Sequence, residues 1–302
     1  MGKKIWYSEP LYVLREAYKK ARKANKDLSV KEFIWTWMTP QITNPFMPDG
    51  RPVQANILIS DMFYADTQKD FLHLFFVDKS LRDFLQSLPI KDFDGLMQTI
   101  YEMGLEIDGG ALTTLGDVIK TGEKERMLDF GLHIPYEAND KGYAFSFTYN
   151  PETKKLVFTW LVGSNPGYIC VEDYKTLIKD NSESAQRVVE YFQLAVNTLI
   201  YLNTFPECIE DGPPKNLKEE YTAANARNII IAEKVDEMIK TSSTRTVMSH
   251  PRRAYFKKLT SDFYTKKRGQ TILVSETYVN GKAKMLASGD YNHYESGENR
   301  QN

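Results

Sequence analysis

The stretch 143–162 constrains this chain more than any other. Tyr143, Phe145, Phe147 and Tyr149 alternate with Ala144, Ser146 and Thr148, and after a turn at 150–153 the alternation resumes with Leu156, Phe158, Trp160 and Val162. A period of two places every second side chain on one face, so this is a β-hairpin with a strongly aromatic face. An exposed face of that kind would stack nucleobases, whereas a buried one needs a cover. The cover is supplied downstream. Residues 183–203 carry Val188, Phe192, Ala195, Val196, Leu199 and Leu202 at helical spacing, after a turn at Asp180-Asn181-Ser182. The expected class is therefore α+β: a helical N-terminal half, a central antiparallel sheet covered by this long helix, and a basic C-terminal strand module.

The helical half is read from period and caps. Ser8 and Pro10 open a helix over 8–25, with Leu11, Leu14, Tyr18 and Ala21 recurring every three or four residues. Ser29 and Glu32 form the capping box of a second, short helix. The prolines of 40–52 mark a loop. Residues 54–86 read as helical, including Phe71, Leu72, Phe75 and Phe76, which makes His73 a core histidine on a helix. Another short helix spans Asp92–Met103, broken at Gly104 and the Asp108-Gly109-Gly110 turn, and His133 marks a strand start. A polar helix is expected from Leu217 to Lys240. A second hairpin is expected around Asn280-Gly281, following the strand composition of 271–279.

With 302 residues, 42% of them hydrophobic, the chain can bury a substantial core. Cys170 and Cys208 are too few for a disulfide framework or a zinc site. No apolar run approaches a membrane span, and the first residues lack a signal-peptide pattern, so a cytoplasmic protein without membrane contact is expected. No phosphate-binding glycine loop, dinucleotide fingerprint, metalloprotease helix or serine-nucleophile elbow occurs, and no cofactor or metal is expected.

Charge is unevenly distributed. The net charge is −1, yet 241–285 holds ten Lys or Arg against Asp262 and Glu276. The chain divides into an acidic α+β body, 1–240, with a candidate subdivision near 110–130; a basic module, 241–285; and a disordered tail, 286–302. Within the module, His250, Arg252, Arg253, Tyr255, Phe256, Lys257 and Lys258 are followed by Lys266, Lys267 and Arg268. Cations interleaved with aromatics form an RNA-binding set, since charge holds the backbone and rings stack on bases. Two other readings stay open: the segment folds back on the acidic body and is neutralised there, or His250 serves as an acid/base with the arginines on a scissile phosphate.

The run His250-Pro251-Arg252-Arg253-Ala254-Tyr255-Phe256, a basic spacer, then Ile272-Leu273-Val274 and Thr277-Tyr278-Val279-Asn280-Gly281 resembles a family found on phages and plasmids. Ala195 to Leu202, followed by Pro206-Glu207, also resembles it. The family includes an anti-CRISPR directed against type V-A systems. The resemblance implies an anti-defence protein that recognises a host defence protein or its nascent chain, together with RNA or a ribosome-associated complex. It falls on His250, Arg252, Arg253 and Phe256. The chain departs from the family pattern at Tyr255, where a second histidine is usual, which weakens a reading in which two imidazoles cleave RNA. The alternatives are a metal-independent ribonuclease or toxin-like enzyme centred on His250, and a phage nucleic-acid-binding regulator.

Overall fold

A computed structural model describes residues 9–30, 32–33, 36, 73–107, 126–134, 142–150, 155–162, 165–215, 226–243, 251–275 and 277–278. Its centre is a seven-stranded sheet in the order β5-β4-β3-β2-β1-β7-β6. The strands are β1 (His73–Val77), β2 (Arg126–His133), β3 (Tyr143–Asn150), β4 (Lys155–Val162), β5 (Asn165–Cys170), β6 (Ile209–Asp211) and β7 (Ala226–Ile229). Together with the helices described below they give the expected α+β class.

The aromatic hairpin forms as its alternation requires. Phe145 lies opposite Trp160, and Phe147 opposite Phe158. Phe145, Phe147, Phe158 and Trp160 are all buried. Their cover is the Glu183–Thr204 helix, capped by the Ser182 side chain on the Ala185 N–H. From it Phe192 meets Phe158 edge-on at 5.2 Å and Phe147 at 6.2 Å, while Tyr191 lies 6.2 Å from Trp160.

The sheet is mixed, not purely antiparallel. Strands β2 to β5 form an antiparallel meander, but β1 pairs parallel with both β2 and β7. The stretch expected to be helical through His73 is therefore the inner strand His73–Val77. A strand buried on both faces carries a continuous apolar run, which period alone cannot distinguish from a helix. Likewise, among the described residues of the expected 217–240 helix, Ala226–Ile229 form β7 and the helix begins at Glu233, running to Ser243. His133 ends β2 rather than starting a strand, and its buried ring meets Phe76 edge-on at 5.7 Å. The capping box is formed: Ser29 Oγ accepts from the Glu32 N–H at 3.2 Å, and Glu32 Oε2 accepts from the Ser29 N–H at 2.9 Å. The Ser29 N–H, and then the Ser29 hydroxyl, which donates to the same Glu32 oxygen at 2.8 Å, hold the Glu32 carboxyl below its usual pKa.

Among the described residues, two helices lie between the parallel strands β1 and β2. The first, Lys79–Ser87, is capped by Asp78. Its C-terminal carbonyls are satisfied by the long helix: buried Asn197 donates from Nδ2 to Leu85 O at 2.9 Å and to Leu88 O at 3.0 Å. The second, Phe93–Ile107, runs through Gly104 without a break. Tyr201 ties the long helix to the segment after β7. Its hydroxyl donates to Ile230 O at 2.7 Å and accepts from the Ala232 N–H at 2.7 Å.

Candidate nucleic-acid interface

The basic segment folds as two small antiparallel ladders. Strand β9 (Tyr255–Lys258) pairs with β10 (Thr271–Val274), and β8 (Pro251–Arg252) pairs with β11 (Thr277–Tyr278). The 271–274 strand thus finds its partner upstream, across the 259–270 loop; the Asn280-Gly281 turn lies outside the described residues.

Alternation splits β9 into two faces. Phe256 and Lys258 point inward, and Tyr255 and Lys257 point outward beside Val274 and Ile272. Phe256 is fully buried and belongs to the same core as Phe145 and Phe192, together with Leu273. Lys258 is buried too. Its Nζ donates to Glu102 Oε2 at 2.7 Å, and its backbone N–H donates to Asp92 Oδ2 at 2.8 Å. The hydroxyls of Thr99 and Thr271 meet at 3.4 Å in the same interior. These contacts fasten the hairpin to the Phe93–Ile107 helix, so neither Phe256 nor Lys258 offers a side chain to RNA.

The outer face has a different composition. Arg253 is exposed, and Lys91, from the linker before the Phe93–Ile107 helix, donates to Arg253 O at 3.2 Å. The Lys91 ammonium lies 4.3 Å from the Tyr255 ring centroid, a cation–π contact. Lys257 is half-buried on the same face. Beyond it, Lys266, Lys267 and Arg268 are exposed on the loop, where Arg268 pairs with Asp262 at 2.6 Å.

Half-buried Lys234, at the start of the Glu233–Ser243 helix, donates to Leu273 O at 2.9 Å. Burial, and then the nearby charge of Lys267, lower its pKa. Lys91 thus reaches Tyr255, and Lys234 reaches the backbone of β10, from distant parts of the chain. Neither carries a sequence signal, because only the fold brings them to the hairpin.

No protein-family model matches the chain, and no curated protein does. Among solved structures, the crystal structure of AcrVA2 is similar over 89% of this chain and 97% of its own, at 10% sequence identity and a TM-score of 0.40.

Of the sequence-predicted site residues, the fold puts Tyr255 and Lys257 on one outer face of β9 and leaves Arg253 exposed just before that strand. It leaves Lys266, Lys267 and Arg268 on the adjoining loop. His250 lies outside the described residues, and Arg252 is described as backbone in β8. An ion pair from the basic segment to the Phe93–Ile107 helix is made by Lys258, with Glu102. Among the described residues no group of three His, Cys, Asp or Glu could hold a metal ion, and no helix is long and apolar enough to cross a membrane.

Proposed function

We propose that this chain is a mobile-element anti-defence protein that binds a host polypeptide and RNA, and so suppresses a defence effector. The observation that carries the RNA part is the sorting of the basic segment. Phe256 and Lys258 anchor it in the body, while Lys257 is left on the outer face and Arg253, Lys266, Lys267 and Arg268 are left exposed. Cations held on a ladder and an ordered loop can match the spacing of a phosphate backbone, and Tyr255 adds a ring beside them. The polypeptide part is supported by the motif resemblance at 250–256 and 195–207.

Capture from host lysate, with and without ribonuclease, tests the pair. Wild type is expected to retain a protein partner after ribonuclease and to lose co-purifying RNA. A variant carrying Arg253→Ala and Lys257→Ala is expected to capture the protein but little RNA. Equal RNA recovery by wild type and variant would overturn the RNA reading. Absence of any protein partner would overturn the polypeptide reading.

A further inference from the structure

The 259–270 loop between β9 and β10 is ordered by its own backbone. Leu259 N–H donates to Gln270 O at 2.9 Å and Gly269 N–H to Leu259 O at 2.8 Å, which closes the base of the loop. Tyr264 N–H donates to Ser261 O, and Lys267 N–H to Tyr264 O, so the tip consists of successive turns. Gly269 takes a φ of +84°, which a side chain would strain. The Arg268–Asp262 pair spans the loop.

This ordered loop holds Phe263 at 64% exposure, with Tyr264 edge-on at 5.6 Å. Holding a large apolar ring in water is unfavourable, while the closure of the loop is made by backbone bonds and the Arg268–Asp262 pair. Lys266 and Lys267 are exposed three and four residues on, and the carboxylate of neighbouring Asp262 is paired with Arg268. An exposed ring among cations suits a polyanion whose units carry flat, stackable faces.

We propose that the 259–270 loop is a stacking finger: Phe263 receives an unpaired base while Lys266 and Lys267 hold neighbouring phosphates, so the partner is single-stranded RNA and not a duplex. The proposal rests on the reading of the basic hairpin as an RNA surface and names the class of RNA it takes. Phe256, the phenylalanine singled out by the sequence pattern, is buried; Phe263 is the ring the fold presents.

The test is binding of an unstructured oligouridine and of a duplex of equal length to wild type, Phe263→Ala and Phe263→Trp. Wild type is expected to prefer the single strand. Phe263→Ala is expected to weaken that binding about tenfold, with an unchanged melting temperature. Phe263→Trp is expected to bind like wild type, with its added emission quenched by the oligouridine. Salt-sensitive RNA binding that ignores Phe263→Ala, or that favours the duplex, would overturn the finger while leaving the basic surface standing. If wild type binds no RNA even at low salt, both the finger and the RNA reading fall. Loss of protein capture by Phe263→Ala with RNA binding intact would assign the ring to a polypeptide instead.

Discussion

Lys258 reaches inward to Glu102, Nζ to Oε2 at 2.7 Å, while its chain neighbour Lys257 faces out. Two adjacent lysines therefore have opposite tasks. The Lys258 side chain is 6% exposed and that of Glu102 48%. Substituting Lys258→Met keeps the packed stem but removes a charge-assisted hydrogen bond. Glu102 can regain water, so the cost is on the order of 1–2 kcal/mol. RNA affinity is expected to be unchanged. Lys257→Met is expected to show the reverse pattern: unaltered denaturant stability and weaker RNA binding. Chemical denaturation alongside a binding titration separates the two.

The Trp160 indole lies across its cross-strand partner Gly167. A Cβ at Gly167 would stand 2.2 Å from Trp160 Cζ2. Phe158 stacks on the indole at 5.6 Å and Tyr191 sits 6.2 Å away, so the ring has little room to yield. Gly167→Ala is expected to cost about 1–3 kcal/mol by overpacking. Trp160→Ala is expected to cost about 3–5 kcal/mol, as a buried aromatic truncation. Because the residues touch, the double variant should cost less than the sum of the two. Denaturant midpoints for the three variants check this.

Tyr201→Phe removes the hydroxyl that serves both Ile230 O and the Ala232 N–H. The expected loss is about 1–3 kcal/mol, since a buried N–H and a carbonyl lose their partner. Burial raises the Tyr201 pKa above the usual tyrosine value. In the unfolded chain the phenol ionises near ~10, while the folded chain holds its proton to higher pH. The contribution of Tyr201 is thus complete below about pH 10 and declines as pH rises through the interval up to the folded pKa. The gap between wild type and Tyr201→Phe should be wider at about pH 8 than at about pH 11 in urea titrations. A gap independent of pH would contradict this.

The legible parts of the fold were those with a local period. The aromatic hairpin, its covering helix with the Ser182 cap, and the Ser29–Glu32 box all follow from residues close in sequence. Strands β1 and β7 do not. Leu74, Phe75, Phe76 and Val77 form an unbroken apolar run, as a strand flanked by parallel neighbours does, and nothing local separates that from a helix. β10 pairs across the loop with β9, and Leu273 and Phe256 share the core, a long-range contact that no local period announces. At the interface, charge density was legible but orientation was not. The register that buries Phe256 and Lys258 depends on the Phe93–Ile107 helix, and Lys91 and Lys234 arrive from distant sequence. Phe263 sits in a polar spacer without periodicity, so its exposure is a property of the folded loop.

The most direct test of the central claim is the salt dependence of affinity for a single-stranded RNA, compared between wild type and the Arg253→Ala, Lys257→Ala double variant. Lys257 lies on the outer face of β9, Arg253 is exposed just before it, and neither is in the buried core. If each holds one phosphate, log affinity against log salt should be steep for wild type and shallower by about 1.4 for the double variant. Melting temperatures should coincide. Parallel slopes for the two proteins, or an affinity for wild type that salt does not alter, would contradict the claim that the outward-facing cations of this hairpin bind RNA.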